Sequence, residues 1–298
     1  MKYDKPPLKF EQQAELFISR GLIAEKSLLI ERLKNVSYYR LSGYLFPYRN
    51  IDDTFKTGTT LNVVWRHYTF DRTLRFIIMD AIERVEVSVR TQLIEELSHS
   101  VGPFGYLEKS AFPKLDNEKY AAWLKKIKEE IKRSKNREHF VDNFFAKYGD
   151  CHKYLPLWMT GEIMSFGSTL TMFNGAHPEI KRKLANYYKI PDEVLKSWLL
   201  TLNTIRNICA HHGKLWDREL RLKPKKPNYN KYREWYEPVG IQNNRIFVIL
   251  TILKFLLRTI APQSMWDKRL LRLFDEYKDI SLIDMGFPEK WKESPLWK

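Results

Sequence analysis

Residues 61–98, LNVVWRHYTFDRTLRFIIMDAIERVEVSVRTQLIEELS, place apolar side chains at Leu74, Ile77, Ile78, Ala81, Ile82, Val85, Val89 and Leu93. Steps of three and four are the period of a helix with one buried face. Working outward, the same period returns on both sides, while strand-like alternation is weak throughout. Residues 9–35 carry two short helical patterns, the first ended by Gly21 and the second marked by Leu28, Leu29, Ile30 and Leu33. An aromatic segment at 38–44 follows and is closed by Pro47. Beyond the long helix, Val101-Gly102-Pro103 is a break. Residues 117–148 read as lysine-rich and helical, with Trp123, Ile127 and Ile131 on one side, and another element runs from Leu155 towards Phe173. Pro178 and Pro191 sit near helix starts, where proline is tolerated. A helix over 192–212 is expected to end at Gly213 as its C-cap. A basic, proline-marked loop at 214–238 then leads to helices at about 241–261 and 265–278. The expected fold is an all-α bundle, with a helical arm (1–60) packed on a core (61–298) that includes the lysine-rich segment 117–148.

Composition narrows the function classes. The chain has 298 residues, 44% hydrophobic and 14% aromatic, which argues against disorder. Its 12 glycines fit helices better than a turn-rich β-protein. A net charge of +15 and a pI near 9.6 point to an anionic partner, nucleic acid before a membrane surface. Cys151 and Cys209 cannot staple a chain of this size, so they read as reduced core thiols of a cytoplasmic protein. The first ten residues carry Lys2, Lys5 and Lys9 but no apolar run, unlike a signal peptide. The most apolar stretch, 246–257, contains Lys254 and is flanked by Arg245 and Arg258. It reads as a buried helix, so no membrane is expected. His67, His99, His139, His152 and His177 lie on separate segments, so neither a metal site nor a cofactor is expected.

The 192–212 helix carries the candidate chemistry. At 100° per residue, Val194, Trp198, Leu202, Ile205 and Cys209 share one face, while Lys196, Asn203, Asn207 and Ala210 lie opposite. Asn203, Asn207 and His211 are spaced by four and form a stripe, with Arg206 beside it. Leu199 and Leu200 are assigned to the exposed side with Ala210, where they suggest contact with another helix or another copy. His212 points towards the apolar face and reads as structural. Cleaving RNA without a metal requires a proton taken from the 2′-OH, a stabilised phosphorane and a proton given to the leaving 5′-oxygen. A histidine can transfer the protons, an arginine can hold the phosphate oxygens, and an asparagine can orient either. The helix dipole favours a charged His211 in the last turn, as a general acid requires. An Arg and a His five apart are common surface decoration, so the polar stripe and the following basic loop carry the argument.

From Lys214 to Arg233 that loop holds Lys214, Arg218, Arg221, Lys223, Lys225, Lys226, Lys231 and Arg233, opposed over this span by Asp217 and Glu219. Trp216, Tyr229, Tyr232, Trp235 and Tyr236 are interleaved. Cations that follow the backbone and aromatics that stack bases suit single-stranded RNA. The alternative is a solvated basic loop whose aromatics fold into the core.

The motif RNICAHH at 206–212 resembles the R-x4–6-H motif of HEPN ribonucleases. With NVSYYRLSGY at 35–44, FDRTLR at 70–75, ERVE at 83–86 with Arg90, and PLWM at 156–159, the chain resembles the abortive-infection (Abi) family of AbiD/AbiF type over about residues 9–275. The resemblance implies a HEPN-like helical bundle and a bacterial phage-defence or toxin-like factor. It also implies metal-independent RNA cleavage at a composite site where two motif helices face each other, hence a homodimer. The family is similar to the HEPN parts of RNA-guided CRISPR nucleases, and some members are linked to a small non-coding RNA. The expected catalytic set is Arg206, Asn207 and His211, supported by Glu86, Asn203 and His212. The Glu86–Arg90 and Asp71–Arg75 pairs read as surface ion pairs, or as supports for Arg206 through Glu86 or Glu83. Two rivals stay open: a non-catalytic protein that binds a small RNA through the basic groove, and a DNA-binding regulator using the short N-terminal helices.

Overall fold

The computed structural model describes residues 2, 4 and 6–298. Met1, Tyr3 and Lys5, part of the stretch read above as unlike a signal peptide, lie outside the described residues. In chain order the helices are α1 (Phe10–Ser19), α2 (Lys26–Val36), α3 (Tyr38–Leu45), α4 (Leu61–Val101), α5 (Asn117–Ser134), α6 (His139–Tyr148), α7 (Leu157–Ile163), α8 (Phe166–Gly175), α9 (Pro178–Tyr187), α10 (Asp192–Ala210), α11 (Ile246–Ile260) and α12 (Trp266–Glu276). Among the described residues there is no strand, only isolated bridges at Ile23–Thr60 and Arg49–Phe55. The protein is all-α.

The 61–98 period becomes α4, a spine of 41 residues and so about 60 Å long. Thr60 caps its start by accepting the Val63 N–H at 3.3 Å, and Gly102, at φ +75°, ends it. Its apolar face, Leu74, Ile78, Ala81, Ile82, Val85, Val89 and Leu93, is fully buried. Helices α3 and α7–α12 all pack against it. The arm reaches the spine through α3, whose Leu41 and Tyr44 are buried, and α1 and α2 pack on each other behind it.

Two expected elements divide. The lysine-rich segment is two helices, parted at 135–138. The element from Leu155 breaks after α7, because the Ser165 hydroxyl accepts the Ser168 N–H at 3.3 Å and starts a new helix. Beyond α12, Phe287, Trp291 and Trp297 fold onto Phe247 of α11, and the Trp297 indole donates to the Thr251 hydroxyl at 2.9 Å. The two thiols also part company: Cys209 is buried as expected, but Cys151 is exposed rather than in the core.

The Asp71–Arg75 pair corrects the surface reading. Asp71 is fully buried and Arg75 nearly so. The Asp71 carboxylate is bonded to the Arg75 guanidinium and accepts the Tyr44 hydroxyl at 2.6 Å. It also takes the backbone N–H groups of Leu215 (3.1 Å) and Trp216 (2.8 Å). Burial pushes the carboxyl pKa up, while Arg75, Tyr44 and the two N–H groups hold it down. One side chain therefore joins α4, α3 and the segment leaving α10. Replacing Asp71 by Ala strands the Arg75 charge and should cost about 3–5 kcal/mol of unfolding free energy. Arg75→Met in the same chain should recover only part of that loss in urea titrations, because the Leu215 and Trp216 N–H groups stay unpaired. Full recovery would mean that the backbone bonds contribute nothing.

Candidate functional site

Helix α10 places its apolar residues as the wheel requires: Val194, Trp198, Leu202, Ile205 and Cys209 are buried. Burial pushes the Cys209 thiol up to about 12. Leu199 departs from expectation. It is fully buried, because its position adjoins the apolar stripe, and it cannot belong to an exposed contact surface. Leu200 is half-buried against the core, while Ala210 is exposed. Asn207 and His211 are exposed and Asn203 and Arg206 half-buried, so the polar stripe does face outward.

The helix ends two residues earlier than expected. His211 is the C-cap, and its N–H bonds the Asn207 carbonyl at 3.0 Å. The His212 N–H reaches the Cys209 carbonyl at 3.0 Å, and the Gly213 N–H reaches the Ile208 carbonyl at 2.8 Å. This pair of bonds is a Schellman closure, whose left-handed residue is usually glycine. Here it is His212, at φ +58°, and not Gly213. Consequently His212 leaves the helix and is exposed, so it has no structural place on the apolar face. Gly213 serves closeness: a Cβ there would lie 3.0 Å from the Ile208 side chain.

Four side chains hold this turn. Arg40 of α3 donates to the His212 carbonyl. Arg75 donates to the Gly213 carbonyl at 3.3 Å, Lys214 to the Gly43 carbonyl at 2.9 Å, and Asp71 receives the next two N–H groups. Helical period and charge pattern do not mark Arg40 or Tyr44 as positioning residues. The signal was the unusual segment YYRLSGY, whose cation and hydroxyl had no obvious surface role.

Next to the turn, the Arg206 guanidinium lies 3.4 Å from the Asn207 side-chain oxygen. Glu86 is half-buried and accepts from Arg90 at 2.6 Å. Burial raises the Glu86 carboxyl above its ordinary range. Arg90 and then Arg206 oppose the rise, and Glu83 adds to it. Glu86 therefore sits in the field of Arg206 without a direct bond to it.

The basic loop is pinned to α10 by the Trp198 indole donating to the Lys225 carbonyl (2.8 Å) and the Lys225 N–H donating to the Ser197 hydroxyl (2.9 Å). Its tryptophans do not stand ready to stack bases. Trp216 is buried against His67, and Trp235 is buried against Trp198. Tyr232 and Tyr236 are half-buried and Tyr229 is exposed. Several cations are engaged: Lys214 with Asp217 (2.6 Å), Lys223 with Glu219 (4.0 Å), Lys225 with Glu193 (3.6 Å) and Arg233 with Glu237 (3.9 Å). Lys226 lies 4.1 Å over the Tyr236 ring, and burial lowers its ammonium pKa. Arg218, Arg221 and Lys231 are exposed. Glu193, outside the loop, and Glu237, near its end, temper it more than the charges over 214–233 indicate.

Among the described residues, no three His, Cys, Asp or Glu side chains gather as a metal site would require, and no helix is long and apolar enough to cross a membrane.

Fold and site together define an all-α protein built on one long helix, with a polar Arg-Asn-His stripe on a clamped helix end. The chain belongs to the family of Abi-like proteins, whose model matches residues 31–217. The matched span contains Arg40, Asp71, Glu86, the stripe on α10 and the turn after it. Most of the basic loop lies beyond the match. No curated protein and no solved structure matches the chain.

The left-handed His212 gives a direct test of the turn. His212→Gly removes the Cβ penalty and should raise stability by up to about 1 kcal/mol, whereas His212→Val should lower it. Denaturant midpoints in that order check the assignment, and equal midpoints would contradict it.

Proposed function

We propose that this chain is a metal-independent endoribonuclease of the HEPN type, of the AbiD/AbiF kind, acting in the cytoplasm in abortive infection against phage. The observation that carries the reading is one geometry: Arg206, Asn207 and His211 face outward together at the end of α10, on a turn clamped from α3 and α4. Arg206 binds the scissile phosphate and offsets the charge of the phosphorane. His211 moves protons between the 2′-OH and the 5′-oxygen, leaving a 2′,3′-cyclic phosphate and a 5′-hydroxyl. Asn207 orients the guanidinium, and Glu86 keeps it turned towards the stripe. RNA is the partner, as target or as a cognate small non-coding RNA, drawn by the net charge of +15 and the basic loop.

His211→Ala and Arg206→Ala should each lower single-stranded RNA cleavage by about a hundredfold or more, with circular dichroism unchanged. Wild-type activity should survive excess EDTA, and mass spectrometry should find cyclic-phosphate ends. A protein that binds RNA with a steep salt dependence but yields no such ends is the binding module instead.

A single motif per chain supplies half of a composite site. Its completion by a second copy is favoured by a stripe on α4. Phe76 is 63% exposed and Val87 48% exposed. They directly follow Arg75, which reaches the motif turn, and Glu86, which lies in the field of Arg206. Arg72 and Glu83 continue the stripe at helical spacing. Phe76→Glu should give a folded monomer with little ribonuclease activity, read by light scattering and a cleavage assay on one sample. A wild-type monomer that still cuts RNA would refute the shared site.

A further inference from the structure

Helix α3 offers the motif turn more than a guanidinium and a carbonyl. Tyr39 stands 80% exposed on it. Its ring meets Tyr38 edge-on at 5.6 Å, Tyr38 is stacked on Phe17 at 4.5 Å, and Arg20 donates to the Tyr38 hydroxyl at 3.4 Å. The exposed ring is thus mounted on a rigid aromatic base. Hollows of about 280 and 590 Å³ adjoin it, both walled by Arg20, Tyr38 and Tyr39. Among the described residues lining them, the acid is Asp53, and it is paired with Arg49. The walls therefore keep net positive charge.

Helical register ties this shelf to the motif. Tyr39 and Gly43 lie one turn apart on the same face of α3. The Gly43 carbonyl holds the Lys214 ammonium, and Arg40, next to Tyr39, holds the His212 carbonyl. A Cβ added at Gly43 would meet nothing within 4 Å, so the face between the Tyr39 ring and Lys214 is open. An exposed aromatic plane, an open backbone step and a lysine in line match what a single strand presents: a base, a sugar and a phosphate.

We propose that Tyr39 stacks a nucleobase of single-stranded RNA whose backbone passes over Gly43 and Lys214 towards His211. The inference rests on the ribonuclease reading above and names where its substrate is gripped. Lys214, whose ammonium already holds the Gly43 carbonyl and the Asp217 carboxylate, turns its third N–H to the phosphate, and Arg40 fixes the spacing between stacked base and reacting histidine. Ring stacking tolerates any base, so the subsite selects single strands over duplexes without selecting a sequence.

The test uses the full chain carrying His211→Ala, so that RNA is bound but not cut, and a short single-stranded RNA containing 2-aminopurine. Stacking on Tyr39 should quench the probe. Adding Tyr39→Ala should abolish the quench and weaken binding by about tenfold to a hundredfold, with the salt slope retained because no phosphate contact is lost. Tyr39→Phe, which keeps the ring, should restore both. Gly43→Leu, which fills the open step, should weaken binding while Tyr39 remains. If Tyr39→Ala keeps full affinity and quench while the His211-intact protein still cuts RNA, the subsite is overturned and the shelf is left to a polypeptide. If the protein with Tyr39 intact neither binds nor cuts RNA, the ribonuclease reading falls with it.

Discussion

The buried Asp71 carboxylate is the constraint on which the arrangement depends. Taking a carboxylate out of water is costly unless every lone pair finds a donor. Here a guanidinium, a phenol and two backbone N–H groups meet that demand, and they come from three separate parts of the chain. Because the charge cannot be left unpaired, those parts cannot drift relative to one another. The carboxylate acts less as a source of net stability than as a device that fixes a single arrangement.

Around that anchor, the end of α10 is unusually well determined for an exposed helix terminus. Such ends commonly fray, since their last carbonyls lack partners within the helix. At this one, closure bonds satisfy the Ile208 and Cys209 carbonyls, and side chains from α3 and α4 satisfy those of His212 and Gly213. The polar stripe that ends there is held at its base, and Asn207 and His211 stand exposed above it. On the proposed reading, a fixed backbone beneath exposed polar groups suits the positioning of a phosphate.

Much of this was legible in the sequence, and the failures have physical reasons. Helical period identified the spine, the first two arm helices and the buried face of α10, because burial on one side leaves an unambiguous repeat, but it left α3 as an aromatic segment. It failed for Leu199, which sits where the wheel grades from buried to exposed and only the neighbouring helices decide. It failed for His212, because a wheel extended past the true helix end assigns a face to a residue that has left the helix. Trp216 and Trp235 looked like stacking groups beside cations, yet each has a large apolar surface that the nearby core could cover. Asp71 and Arg75 were indistinguishable from a surface pair, since the i, i+4 spacing is the same at any depth. What local pattern could not carry was the long-range pairing of α3 and α4 with the turn after α10.

That pairing has a consequence for when the site comes into being. The bonds defining the turn join residues 172 apart (Arg40 to His212) and 145 apart (Asp71 to Trp216). Contacts of such high sequence separation wait on closure of the intervening chain. During synthesis, which proceeds from the N-terminus, α3 and α4 emerge long before their partners, and the Asp71 carboxylate stays hydrated until Leu215 and Trp216 leave the ribosome. A nascent chain that has just displayed Arg206 and His211 already carries Arg40, Asp71 and Arg75 but still lacks the backbone of 213–216 that Asp71 and Arg75 hold. The geometry of the turn is a late product of translation, and a copy that stops at His211 carries the stripe without the bonds that fix its end.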